Sequence, residues 1–173
     1  MARVFTIGHG TRPLGELVAC LRQAGARTLV DVRRFPSSRR NPQFDQTPLA
    51  EALAAAGIAY LHAVELGGRR HGEPGEERFR CITEPAFRSY AARMSRPEWQ
   101  EALASGLAGP APCFMCAETV WWRCHRRLIA DLLVARGIEV VHLLRPRDAR
   151  PHSLSEEAEA RGGRLYLCGE LVA

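Results

Sequence analysis

The sequence predicts an α/β protein: a mainly parallel sheet of about five or six strands with helices on both faces, in a single compact domain over residues 1–173. Three observations predict it. Short apolar runs suited to buried strands alternate along the chain with stretches whose apolar residues recur at helical spacing. That alternation is the signature of βαβ units, which close with right-handed crossovers. Finally, no repeat, low-complexity tract or linker interrupts the 173 residues, a length that buries a real core without staples.

The elements follow in order. Val4 to Ile7 is a first strand that closes in Gly8-His9-Gly10. Thr11 is placed to cap the next helix, with Pro13 in its first turn. Leu14, Leu17, Val18 and Leu21 form its apolar stripe, and Gly25 stops it. Thr28 to Val32 is a second strand, followed by the basic loop RRFPSSRRNPQFD. Thr47-Pro48 opens a helix that Gly57 ends, and Ile58 to His62 is a third strand. The charged, Gly-rich stretch from Glu65 to Arg80 has the length of a lid or binding loop. Phe87, Tyr90, Ala91 and Met94 mark a helix, and Ser95 to Glu98 has the spacing of a capping box for another. Cys113 to Ala117 is a fourth strand, and Leu128, Ile129, Leu132 and Leu133 give the helix after it one apolar face. Glu139 to Leu144 is a fifth strand, Ser153 to Glu156 reads as the cap of a short helix, and Arg164 to Leu167 as a sixth strand.

Composition narrows the class. The net charge of +5 comes from arginine alone, since the chain contains no lysine. Guanidinium forks suit carboxylate and phosphate, so the expected partner is an anionic small molecule or nucleic acid. No apolar run approaches the length of a membrane span, and the N-terminus lacks a signal-peptide core. The expectation is a cytoplasmic protein without membrane contact. In a reducing compartment its six cysteines are then expected as free thiols, ligands or catalytic groups, not as a disulfide framework.

Ligands of open α/β sheets bind beyond the carboxyl ends of the strands. His9, Asp31 with Arg33, Glu65 to Gly68, and Cys116 with Glu118 fall there, on four separate strands. Cys124, His125 and Arg126 follow at the start of the next helix. Cys124 is the better nucleophile, because a helix N-terminus and neighbouring guanidiniums stabilise a thiolate; a half-buried structural cysteine is the alternative. Glu118 reads either as a general base or as an ion-pair partner of Arg126. Cys113 and Cys116 form a C-x-x-C, but three positions apart on a strand they point to opposite faces, which argues against zinc. Cys116, Cys124 and His125, with Glu118 or His9, remain the alternative metal set. Arg33, Arg34, Arg39 and Arg40 read as a phosphate clamp or as a solvated face. Trp121 and Trp122 read as packing at the helix entry, with stacking on a base or ring as the alternative.

The chain resembles the family catalogued as domain of unknown function 488. The resemblance is carried by TIGHG, LVDVRRFPSSRRNPQFD, GIAYLHAVELGG, FRSYAARMSRPEWQEAL, CAETVWWRCHRRLIADLL and GIEVVHLL, in that order. It implies a compact α/β protein of bacterial or archaeal type, with His9, Asp31, Arg33, Pro36, Ser38, Gly67, Gly68, Cys116, Glu118, Cys124, His125 and Arg126 as its polar and turn positions. Thr11 and Arg12 stand where members often carry Ser-Asn, and Cys113 lies outside the pattern. The resemblance locates a site and names no reaction. The expected function is a cysteine-dependent hydrolase or transferase acting on an anionic, nucleotide- or nucleic-acid-like substrate. Cys124, Cys116, His125, Glu118, His9 and Asp31 would be catalytic, and Arg33, Ser38, Gly67, Gly68 and Arg126 substrate-binding, with no metal or cofactor. A non-catalytic nucleic-acid-binding module and a metal or thiol sensor are the alternatives.

Overall fold

The computed structural model describes residues 2–173. Five parallel strands form the centre: β1 (Arg3–Gly8), β2 (Thr28–Asp31), β3 (Ala59–His62), β4 (Pro112–Cys116) and β5 (Glu139–Arg145). β6 (Asp148–Pro151) turns back antiparallel on β5, and the order across the sheet is β3-β2-β4-β1-β5-β6. The helices are α1 (Leu14–Ala24), α2 (Gln46–Ala55), α3 (Pro85–Arg93), α4 (Pro97–Ala108) and α5 (Arg126–Ala135).

Strand alternation sorts the core into two layers. Phe5, Ile7, Leu29, Cys113 and Met115 pack with Leu17, Leu21, Leu49 and Leu53 of α1 and α2. Val4, Val30, Phe114 and Cys116 face the other way, onto residues of α3, α4 and α5. Cys113 and Cys116 thus lie on opposite faces, as strand geometry requires.

The order across the sheet positions the site. α1 carries the chain from β1 across β4 to β2, whereas α5 carries it from β4 across β1 to β5. Neighbouring strands whose connections leave in opposite directions open a crevice at their carboxyl ends. Here those neighbours are β1 and β4, paired through Gly8 and Cys116. The ladder continues one step beyond the strands, with the His9 amide donating to the Cys116 carbonyl at 2.9 Å and the Gly10 amide to Ala117 at 3.0 Å. Gly8 permits this approach: a Cβ there would stand 1.9 Å from the Glu118 carbonyl oxygen.

Several local expectations are corrected. α1 begins after Pro13, so Thr11 lies too far upstream to cap it. α2 starts at Gln46 with Asp45 in the cap position, and that carboxylate accepts the Ser38 amide instead. Proline at the first position of α4 makes Arg96 the cap residue, and Ser95 donates to the Ala92 carbonyl, so no capping box forms. The Glu65 to Arg80 stretch is not among these corrections: it lends Gly68, Arg69 and His71 to that crevice and is anchored by buried Leu66 and Phe79 and by ion pairs of Glu65 and Glu73 with Arg93. No helix forms at Ser153 to Glu156, because the Asp131 carboxylate takes both the amide and the hydroxyl of Ser155. Arg164 to Leu167 is a strand, but of a separate antiparallel sheet: β7 (Ala158–Arg161), β8 (Arg164–Leu167) and β9 (Glu170–Leu171). That sheet lays Leu165 and Leu167 against the layer containing α5.

The expectation of six free thiols is also corrected. Cys81 and Cys168 are disulfide-bonded across 87 residues, tying the turn before α3 to the turn between β8 and β9. Cys20, Cys113, Cys116 and Cys124 are free and buried. No helix among the described residues is long and apolar enough to cross a membrane.

Candidate active site

A cleft of about 550 Å3 opens at the carboxyl ends of β1, β2 and β4. It reaches down to Cys116 and Cys124, and its walls carry His9, Arg33, His125 and the Gly68 backbone. Ser37, Ser38, Arg34, Phe35, Arg69 and Arg123 form more of the lining. Among the lining residues Glu118 is the one carboxylate, so the cleft is strongly cationic.

Cys116 ends β4, and Cys124 follows a single 3-10 turn, Trp121–Arg123, that returns the chain to the same edge. The two sulfurs lie 2.7 Å apart. The first amide of α5, Arg126 N–H, points at Cys124 Sγ at 3.4 Å, and His125 Nδ1 stands 3.6 Å from the same sulfur. Arg126 Nε donates to Cys116 Sγ at 3.0 Å. Burial by itself would raise the Cys124 thiol. The hydrogen bond from Cys116, the His125 ring and the Arg126 guanidinium outweigh it and hold Cys124 well below the ordinary thiol value. Cys116 moves the other way, pushed up by burial and by its bond to Cys124. The two shifts oppose each other, so the shared hydrogen bond favours the proton on Cys116 and the negative charge on Cys124.

His125 is held for this role. Its Nε2 donates to the Val32 carbonyl at 3.2 Å, so that Nδ1 donates to the Cys124 sulfur in the imidazolium form, and Tyr90 packs on the ring at a centroid distance of 5.0 Å. Gly68 closes over the ring so tightly that a Cβ there would lie 2.6 Å from Nδ1. Gly67 does not line the cleft; it lets the chain pass the Arg34 backbone, which its Cβ would meet at 2.8 Å.

Asp31 lies beneath the cleft and holds Arg33. Its carboxylate accepts Arg33 Nε at 2.9 Å, Nη2 at 2.7 Å and the Tyr60 hydroxyl at 2.7 Å. The remaining Arg33 nitrogen, Nη1, donates to His9 Nε2 at 3.3 Å, while His9 Nδ1 donates to the Gly10 carbonyl at 2.8 Å. Burial keeps that imidazole neutral by pushing its pKa down, and the nearby Arg33 charge adds to the effect. His9 is thus oriented as an acceptor, stacked on Phe44 at 4.4 Å.

Arg126 lies outside the cleft wall, fully buried behind the sulfurs. Its other donors go to Thr6 Oγ1 at 3.2 Å and to the backbone carbonyls of Glu118 and Thr119. The Glu118 carboxylate itself caps a turn, accepting the Val120 amide at 3.2 Å, and makes no ion pair with Arg126. Arg39 and Arg40 do not line the cleft, which leaves Arg33 and Arg34 of the basic loop on it. Trp122 is half exposed, whereas Trp121 stacks on His142 at 4.3 Å. Among the described residues no group of three or more His, Cys, Asp or Glu is arranged to hold a metal.

Sequence reasoning missed what lies behind Arg126. Thr6 Oγ1 meets His142 Nδ1 at 2.6 Å, His142 Nε2 meets His152 Nδ1 at 2.9 Å, and His152 Nε2 meets the Asp131 carboxylate at 2.9 Å. A proton order satisfies every group: His152 donates to Asp131, His142 to His152, Thr6 to His142, and Arg126 to Thr6. Burial pushes His142 down to about 3, and its neighbours His152 and Arg126 add to this. The available signal was polarity in the wrong place. Thr6 and His142 occupy inward positions of apolar strands, and Asp131 interrupts the apolar run of α5.

These features define a class: a doubly wound α/β domain with a buried cysteine pair and a histidine at its topological switch point. The chain belongs to the family described as Domain of unknown function DUF488, which matches residues 13–133. That span holds Asp31, Arg33, Gly68, Cys116, Cys124, His125 and Arg126, and His9 stands just upstream of it. No curated protein and no solved structure matches the chain.

Proposed function

We propose that this protein is a cysteine-dependent hydrolase or transferase acting on an anionic, nucleotide- or nucleic-acid-like substrate in the cytoplasm. The observation that carries the reading is the position of Cys124: a thiolate at the N-terminus of α5, with the His125 ring beside it, facing a cleft lined by arginine. Thiolate, not thiol, is the nucleophile, and its two stabilisers here, the helix end and Arg126, persist without substrate. Arg34, Arg69 and Arg123 attract the anion, and the Ser37 and Ser38 turn with the Gly68 backbone receives it. Arg33 keeps an N–H on each terminal nitrogen for the same anion after Asp31 and His9 have taken theirs. Cys124 Sγ then attacks the electrophilic phosphorus or acyl carbon, the leaving group departs, and water or an acceptor hydroxyl directed by Glu118 releases the covalent intermediate.

The test uses p-nitrophenyl phosphate and p-nitrophenyl acetate as probes. Release of p-nitrophenolate with a matching mass adduct on Cys124, competed by inorganic phosphate and absent in Cys124→Ser, is the expected result. Phosphate or oligonucleotide binding that falls steeply with salt and is unchanged in Cys124→Ser, with no adduct from either ester, would replace catalysis with simple binding.

A further inference from the structure

We propose that Cys116 is a resolving thiol, so that a hydroperoxide entering the cleft drives the pair through a reversible Cys116–Cys124 disulfide. The inference rests on the reading of Cys124 as a thiolate at the floor of the cleft and adds a second, redox chemistry to the same site.

Geometry carries it. The sulfurs already stand 2.7 Å apart, against about 2.05 Å in a disulfide, so the two thiols are in reach of one another. Their backbones permit it because β4 ends at Cys116 and the 3-10 turn brings Cys124 back beside it. Both sulfurs line the cleft, whereas Cys20 and Cys113 lie in the layer on the other side of the sheet and line none of its wall. The two thiols also differ in their neighbours. Cys124 has His125 Nδ1 and a helix amide, the surroundings of an attacking group. Cys116 has the Arg126 Nε–H at 3.0 Å, which stabilises the sulfur as its proton leaves.

The chemistry balances in three steps. Cys124 S⁻ attacks the terminal oxygen of the hydroperoxide, forming an S–O bond and breaking the O–O bond; the sulfur is oxidised by two electrons to a sulfenic acid, and the alkoxide or hydroxide released takes a proton from water. The Cys116 thiol then attacks Cys124 Sγ, forming the S–S bond as the S–O bond breaks, and its proton leaves with the departing hydroxide as water. A small dithiol reduces the disulfide, becoming a disulfide itself and returning both thiols.

The experiment treats the full chain with hydrogen peroxide, blocks remaining thiols with N-ethylmaleimide and maps the peptides without reduction. The expected result is loss of two of the four free thiols, recovered as a linked Cys116–Cys124 peptide that dithiothreitol separates. Cys116→Ser should instead hold a sulfenic acid on Cys124 that dimedone traps, and Cys124→Ser should leave Cys116 reduced at the same peroxide dose. A dimedone adduct on Cys124 of the unmutated protein, with no linked peptide, would overturn the resolving role while leaving the thiolate intact. Failure of Cys124 to react with iodoacetamide as well as peroxide would overturn the reading beneath it. A link from Cys124 to any other cysteine would also overturn the assignment of Cys116.

Discussion

Gly68→Ala is a one-carbon test of how Cys124 is activated. The added Cβ would lie 2.6 Å from His125 Nδ1, 3.0 Å from Cγ and 3.2 Å from Cε1, too close for the ring to stay. The displaced ring gives up its position 3.6 Å from Cys124 Sγ and its bond to Val32. A hydrogen bond to a charged group is worth about 1.5–3 kcal/mol, and one pK unit is about 1.4 kcal/mol. Cys124 should therefore titrate at least about one unit higher, and its alkylation below that pH should slow about tenfold. Overpacking adds a stability cost of about 1–3 kcal/mol. Gly67→Ala is the control, since its Cβ meets Arg34 at 2.8 Å and does not touch His125. The assay is the pH profile of iodoacetamide labelling at Cys124, read by peptide mass, beside thermal melts of both variants. Equal profiles for Gly68→Ala and the unmutated protein, with both folded, would refute the role given to His125.

Two further outcomes are expected. His142 has a folded pKa of about 3 against an ordinary 6.5, so the unfolded chain binds a proton that the folded one refuses between those values. Stability should fall with a slope of up to about 1.4 kcal/mol per pH unit as pH drops through that window, and His142→Gln should show a shallower loss; matching slopes in urea melts would remove His142 from the account. The Cys81–Cys168 bond closes an 87-residue separation, and such a cross-link is worth about 4–5 kcal/mol by chain entropy. Dithiothreitol should lower the Tm of the unmutated protein and leave Cys81→Ser unmoved; a Tm indifferent to reductant in both would show that the bond contributes nothing to stability.

The parallel core was legible because buried strands write continuous apolar runs and helices write a 3.6-residue stripe. The edge that carries the site was legible for a related reason: His9, Arg33 and Cys116 come where a strand's apolar run ends, and Cys124 comes just before a helix's apolar stripe begins. Which strands are neighbours was not legible, since the pairing of Gly8 with Cys116 joins residues far apart in sequence. The C-terminal reading went astray where a tertiary partner outbid local signals, as Asp131 does at Ser155. The disulfide was missed because an expected compartment was used to decide the state of Cys81 and Cys168. The chain of Asp131, His152, His142 and Thr6 was written as polar residues at inward positions, a pattern that only gains meaning once Arg126 is seen to need support.

The central claim is that Cys124 is a stabilised thiolate, and competitive labelling measures it directly. Limiting iodoacetamide at about pH 6, well below the value of about 8.5 for a free cysteine, is offered to the four free thiols and the adducts are mapped. The account predicts that Cys124 carries the fast adduct, with an apparent pKa below that of free cysteine, and that Cys124→Ser loses it while keeping its Tm. A fast adduct on Cys116, or slow labelling spread evenly over all four cysteines, would contradict it.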